Sequence, residues 1–409
     1  MKMKSLFAAL AAFTASFTSV IANDFANNGY MENAPGCCYE APCYPNSYNP
    51  PAYLNCGNNA CGGFFDTISA RVDFLWWRAS EINLELGIED TLNNTVFSID
   101  QAREKRPNFK FDPGYRIGLT TICPDGCWDA ALNWTHFNTS ARAIGMGDPG
   151  HTSGLIFIGP VTTFNSYWEL NQNANPLDLC EGRWKLNMDL IDLEMAHRYH
   201  INQCLVLRPF VGLRGGRINQ SYHIFSTFNE VEIRMPDGQY LSKLHARSNF
   251  VGVGPRIGLN IAFEVCQDLS VFGEAAGSIL YGSLDRHTNE NADFLFFTEE
   301  FTAIVVQESE GRLKAGSKQC SRCITDLTLG LRWDHCVRWC NHCHPVSLVA
   351  AWEFHTFYDF NNFLQRILPA PNNEKEGKAS TKENFNFPQR SLTGNLYTQG
   401  LTLSVCIGF

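Results

Sequence analysis

The chain has 409 residues, of which 44% are hydrophobic, 18% charged and 13% aromatic. The charged fraction lies below the roughly 25% of soluble globular proteins, and so many aromatics suit half-buried strands better than helices. A formal charge of -9, with no Lys/Arg cluster beyond the first four residues, excludes the basic stripe of a nucleic-acid binder.

In chain order, Lys2 and Lys4 precede an apolar run over 6–17, and Val20-Ile21-Ala22 supplies small or modest side chains for cleavage. This reads as a signal peptide over 1–22, the run being too short to cross roughly 30 Å of hydrocarbon. No cysteine adjoins the cut, which sets a lipoprotein aside. No later stretch holds 18 consecutive apolar residues. An exported chain of this kind crosses a membrane only as a closed barrel, since lipid leaves the backbone groups of an open sheet edge unpaired. Residues 23–63, rich in Cys, Pro and Asn, are expected to form a periplasmic segment ahead of a barrel over 64–409.

Strands follow. Over 68–77, Ile68, Ala70, Val72, Phe74 and Trp76 alternate with Ser69, Arg71 and Asp73. Over 113–121, Tyr115, Ile117 and Leu119 oppose Arg116 and Gly118. Segments 128–138 and 185–197 are weaker, and Leu190-Ile191-Asp192-Leu193 breaks alternation as a bulge would. In 205–215 the row Leu205, Leu207, Val211, Leu213 opposes Arg208, Gly212 and Arg214. The clearest segment is 251–264, where every second residue from Val251 to Phe263 is apolar and Arg256 sits on the glycine-rich opposite row. Pro255, which has no donor, is a blemish in that ladder. A weaker strand covers 269–281. Leu327, Leu329, Leu331 and Trp333 then oppose Asp326, Arg332 and Asp334, and Val346, Leu348, Ala350, Trp352 and Phe354 oppose Glu353 and His355. Leu401, Leu403, Val405, Ile407 and Phe409 alternate with Thr402, Ser404, Cys406 and Gly408.

The fold expected is therefore all-β: a closed antiparallel transmembrane barrel of at least ten strands. Twelve or fourteen strands follow if 155–170, 222–244 or 294–313 hide hairpins. Long connections (80–112, 139–184, 217–248, 282–322, 358–392) alternate with short ones, the habit of outer-membrane barrels with long extracellular loops and short periplasmic turns. Seven tryptophans, Trp76, Trp77, Trp128, Trp134, Trp333, Trp339 and Trp352, fall near strand ends or on outward rows, where amphipathic rings suit the lipid–water boundary.

With the apolar rows facing lipid, the expected pore lining is Arg71, Asp73, Arg116, Arg208, Arg214, Arg256, Glu274, Arg332, Asp334 and Glu353. A charge on the lipid face near the midplane costs about 2–4 kcal/mol. Gly212, Gly252, Gly254 and Gly258 are expected to leave volume free inside. The excess of inward arginine suggests a mild anion preference.

Sixteen cysteines remain after the signal peptide. Cys37, Cys38, Cys43, Cys56 and Cys61 precede the first strand, and Cys123, Cys127, Cys204, Cys266, Cys336, Cys340 and Cys343 sit at short turns. In an oxidising compartment these twelve are disulfide candidates, within the barrel or to neighbouring envelope proteins. A zinc reading that joins Cys320 and Cys323 to Cys336, Cys340 and Cys343 is disfavoured, because a spanning strand separates the two groups by some 30 Å, which leaves the compact set Cys336, Cys340, Cys343 and His344 as the less favoured metal alternative. No metal or cofactor is expected. Catalytic signatures (G-x-S-x-G, a P-loop, H-E-x-x-H) are absent, so the chain is not expected to be an enzyme.

The segments 70–77, 113–119, 134–137, 253–259 and 401–409 resemble the Legionella/Chlamydia-type major outer-membrane porin-like family. The first of them, Ala70-Arg71-Val72-Asp73-Phe74-Leu75-Trp76-Trp77, is the most specific. The resemblance spans roughly 64–409. It implies an outer-membrane pore for small hydrophilic solutes, contacts with lipid, a homo-oligomer, and disulfide cross-linking to envelope proteins. It also implies that Phe409 is the aromatic end read by the barrel-assembly machinery. The rival readings are a structural outer-membrane protein or adhesin with a plugged barrel, and a soluble periplasmic β-protein.

Overall fold

The computed structural model describes residues 67–92, 103–122, 128–146, 161–166, 179–202, 204–230, 238–266, 268–297, 303–339, 342–366, 389–391 and 393–409. The proposed signal peptide, the segment 23–63 and the cysteines Cys37, Cys38, Cys43, Cys56, Cys61, Cys123, Cys127 and Cys340 lie outside them.

Ten long strands carry the fold: β1 (Thr67–Glu81), β2 (Phe111–Ile122), β3 (Trp128–Met146), β4 (Leu179–His197), β5 (Leu205–Glu230), β6 (Gly238–Cys266), β7 (Leu269–Phe297), β8 (Ala303–Trp339), β9 (His342–Asn361) and β10 (Gly394–Gly408). Each pairs antiparallel with its sequence neighbour. The ring closes where β10 pairs with β1, from Ser69 opposite Gly408 to Glu81 opposite Leu396. Closure gives every strand two hydrogen-bonded neighbours, the condition lipid imposes on a sheet.

Period-2 alternation divides each strand between two environments. The outward row is apolar and open: Val72, Phe74, Ile117, Leu132, Ile191, Leu213, Val253, Ile257, Leu329 and Leu403 are all exposed. A row of large apolar side chains turned away from the interior is what a hydrocarbon solvent favours and water does not. Trp76, Trp128, Trp134, Trp333 and Trp352 belong to this outward surface. Trp77 departs from the sequence expectation: it points inward, fully buried, and its Nε1 donates to Thr402 Oγ1 at 3.1 Å.

The connections after β2, β4, β6 and β8 and the ends Thr67 and Gly408 share one rim. On the opposite side the strands run well past the apolar belt, β5 to β8 reaching 26, 29, 29 and 37 residues. Two suspected extra hairpins, 222–244 and 294–313, are therefore continuations of barrel strands. The third, 155–170, contributes Val161–Ser166 to a small sheet with Gly87–Leu92 and Arg103–Lys105.

The bulge expected at Leu190-Ile191 is absent, since β4 keeps an unbroken register with β3 and β5. Leu190 is simply inward, because the interior itself turns apolar at that height. Pro255 is accommodated by a gap: its partner on β5 is Leu213, whereas the pairing to β7 skips from Val253 to Arg256. No ladder bond to β7 is asked of a residue without an N–H.

Candidate functional site: the interior of the barrel

Ten strands enclose a narrow interior, close to the size that side chains alone can fill. Two stacked zones do so here. Nearer the short-turn rim, charged groups reach across to strands that are not their neighbours. Arg116 on β2 donates from both Nη atoms to Glu353 on β9 at 3.0 and 2.8 Å, and lies 3.3 Å from Asp73 on β1. Arg214 on β5 grips Asp192 on β4 through two bonds of 2.5 and 2.8 Å and reaches Asp326 on β8 at 2.8 Å. Arg256 on β6 pairs with Asp326, with Glu194 at 2.9 Å and with Glu274 at 3.3 Å. His355 lies between Asp326 at 2.8 Å and Glu353 at 3.1 Å, joining the two halves of the network. Lower down, Arg208 and Arg198 both bind Asp129.

Above this layer the inner rows change character. On β4 the sequence Glu194, Asp192, Leu190, Met188, Leu186, Trp184 passes from charged to apolar, every member buried. Trp77, Phe137, Trp184, Tyr222, Phe250 and Phe357 join them in one apolar cluster. Residues beyond the strand ends fold into it. Asn83 adopts a left-handed φ of 66°, a conformation asparagine tolerates better than most residues. Leu84 and Leu86 beyond it are buried among the rings, and Tyr222 Oη donates to Leu84 O at 3.1 Å. Phe360 and Phe363 enter from β9 and the residues after it, and Asn361 Nδ2 donates to Ile82 O at 2.6 Å.

The ten residues expected to line a pore are inward, and each contacts another side chain of the interior. Arg214, Arg256, Asp73 and Glu353 are almost inaccessible, with relative exposures of 3%, 5%, 1% and 3%. Arg71 is bound to Asp73 at 2.7 Å, Arg332 stacks over Phe272, and Asp334 accepts from Ser347. The space beside the inner glycines is also occupied. A Cβ on Gly252 would meet the ring of Phe250, and one on Gly258 the ring of Phe210, which lies under the Arg256 guanidinium. The inner arginines are thus paired with carboxylates across the barrel rather than standing in excess, while the outer-membrane, porin-type character of the barrel stands. Sequence reasoning missed Asp129, Asp192, Glu194, Asp326 and His355 as members of this network. All five fall on inner rows, opposite apolar outer rows such as Ile191, Leu193 and Met195, and that parity was the available signal.

Residues 67–387 match the model of the family described as Legionella pneumophila major outer membrane protein precursor. The chain belongs to this family. As a member of the Legionella major outer membrane protein family, it is placed in the bacterial outer membrane as a multi-pass β-barrel. Among solved structures it is similar to the outer membrane protease OmpT from Escherichia coli (10% identity, TM-score 0.32, covering 85% of this chain and 99% of that one). It is also similar to a FadL homologue of Pseudomonas aeruginosa (7% identity, TM-score 0.25, 84% and 90% covered). A third is the Pseudomonas putida toluene transporter TodX (8% identity, TM-score 0.22, 84% and 89% covered). No activity is carried over from likenesses this distant. No curated protein matches the chain.

The cysteines of this family member also depart from expectation. Cys266 is a free thiol, as are Cys320, Cys323 and Cys406. Cys180, not singled out in the sequence, is buried inside the barrel. Cys204 is disulfide-bonded within the chain. Cys336 and Cys343 lie on β8 and β9, with their side chains outside the described set. Cross-linking to envelope partners through the rim cysteines is thus corrected: Cys266 carries no bond, and Cys204 is bonded internally. No group of three metal-ligating side chains occurs among the described residues. Phe409 is exposed, and its N–H donates to Ile68 O at 2.9 Å.

Proposed function

We propose that this chain is a sealed outer-membrane barrel that works through its outer wall and outward-reaching strands, with no aqueous route through its centre. One observation carries the reading: a cross-lumen charge network is capped by a continuous apolar cluster, so that a hydrated ion would meet paired charges and then packed rings. Opening such a path means separating buried ion pairs, at about 3–5 kcal/mol for each pair left without its partner. The reading assigns no catalysis to the barrel. His355, the buried histidine of the network, is held between two carboxylates beneath the apolar cluster. The test is electrical. Purified full-length protein reconstituted in a planar bilayer is expected to leave the membrane's baseline conductance unchanged. Stable, reproducible channel steps from folded protein would refute the sealed barrel.

A further inference from the structure

Just beyond the apolar belt, on the side of the long extensions, the outward row changes sign. On β4 it passes from Ile191 through Asp189 and Asn187 to Lys185 and Arg183; on β5 from Leu213 to Arg217; on β6 from Val251 to Arg247 and Lys243. The register brings these together. Arg183 lies opposite His223 and His223 opposite His245, while Lys185 and Arg247 flank Ser221 from either side. Arg217 sits directly beside Val251 of the belt.

Lys185, Arg183, Arg217, Lys243 and Arg247 are exposed, and no described carboxylate forms an ion pair with any of them. Of the nearby acids, Glu181 binds Arg142 at 2.6 Å and Asp189, opposite Arg217, binds His136 at 2.8 Å, while exposed Asp285, opposite Asn249, is one carboxylate against five cations. The histidines register the surplus of positive charge. His223 and His245 stack at 3.7 Å, and Arg247 Nε donates to His245 Nε2 at 2.9 Å. Burial, then His223, Arg247 and His287, pushes His245 down to about 4. Burial, then Lys185, Arg247 and Arg183, also lowers His223. Both are therefore neutral near pH 7 and leave the lysines and arginines as the source of charge.

Four to eight strand residues separate the last lipid-facing side chains from these cations. With a rise of about 3.3 Å per residue on tilted strands, the patch begins about 10 Å above those side chains and extends to about 20 Å. Its nearer cations, Arg217, Arg247 and Lys185, lie at the level of phosphate groups on outer-leaflet lipids. We propose that the outward face of β4 to β6 above the belt is a binding site for a lipid headgroup bearing two or more phosphates. Continuity with the lipid-facing wall selects a lipid over a free anion, because acyl chains can lie along Ile191, Leu213 and Val251 while the phosphates meet the cations. Guanidinium groups suit this role through bidentate bonds to phosphate oxygens.

The test uses the full chain in uncharged detergent with bisphosphorylated lipid A as probe, and binding read by native mass spectrometry. It is independent of conductance, so failure here leaves the sealed barrel standing and the reverse also holds. The combined variant Arg183→Gln, Lys185→Gln, Arg217→Gln and Arg247→Gln is expected to bind the probe at least about tenfold more weakly, each cation near the membrane surface contributing on the order of 1 kcal/mol. The dephosphorylated lipid should bind the native protein as weakly as the variant binds the probe. Undiminished binding by the variant overturns the proposal, as does equal binding of the dephosphorylated lipid. Competition by inorganic phosphate at the same concentration as the lipid overturns it too, since the site would then be an anion site only. Folding is checked by heat-dependent gel mobility. If the fourfold variant fails that check, Lys185→Gln with Arg247→Gln is read in its place, with a loss of up to about thirtyfold expected and no loss overturning the proposal.

Discussion

Asp326 accepts from Arg214, Arg256 and His355 at once, and so ties β5, β6, β8 and β9 together inside the barrel. Asp326→Asn keeps the shape but removes the charge, leaving two buried guanidinium groups short of a partner. The expected cost is roughly 3–5 kcal/mol, measured as a lower midpoint of heat- or denaturant-driven loss of the folded gel band. An unchanged midpoint would show that the network contributes little. The arginines were legible in the sequence because a charge on a lipid-exposed strand has a strong reason to turn inward. Their neutralisation was not. Whether Arg256 meets water or Asp326 depends on how close β6 and β8 come across the interior, and no local pattern encodes that distance. Trp77 was misjudged for a related reason. It follows the outward Trp76, and only parity separates a ring in lipid from a ring in the core.

For the strands, legibility followed the solvent. Where lipid lies outside, an apolar row opposes a mixed row and the strand is plain, as in Val251 to Phe263. Past the belt the outside is polar and the inside apolar, as with Arg217 against Ile218 and His223 against Ile224. The period is unchanged, but a reader following the apolar outer row stops too soon, and 217–248 looks like a loop. The belt can be tested directly. Leu329→Arg places a cation where 66% of the side chain faces outward among apolar neighbours, and should cost about 2–4 kcal/mol in lipid bilayers. Ser321→Arg, on the same row of β8 beyond the belt, should change stability by less than about 0.5 kcal/mol. Comparable losses from both, in unfolding titrations from vesicles, would mean the belt is placed wrongly.

For the whole molecule, ring closure and the filled interior depend on each other. Removing 394–409 deletes β10, exposes the edges of β1 and β9, and takes away Thr402 and Ser404, which bind Trp77 and Arg71. Such a truncation should yield no heat-modifiable folded species in vesicles, and a normal folded band would contradict the closure. The ion pairs also skip strands: Arg116 on β2 finds Glu353 on β9, and Arg214 on β5 finds Asp326 on β8. A β7–β8 hairpin entering the bilayer alone would carry Glu274 and Asp326 while their counter-ions still waited on other hairpins. Inserting one hairpin at a time is thereby penalised, because these charges find their counter-ions only once β5 to β8 stand together, and the Arg116–Glu353 pair only once β2 and β9 do.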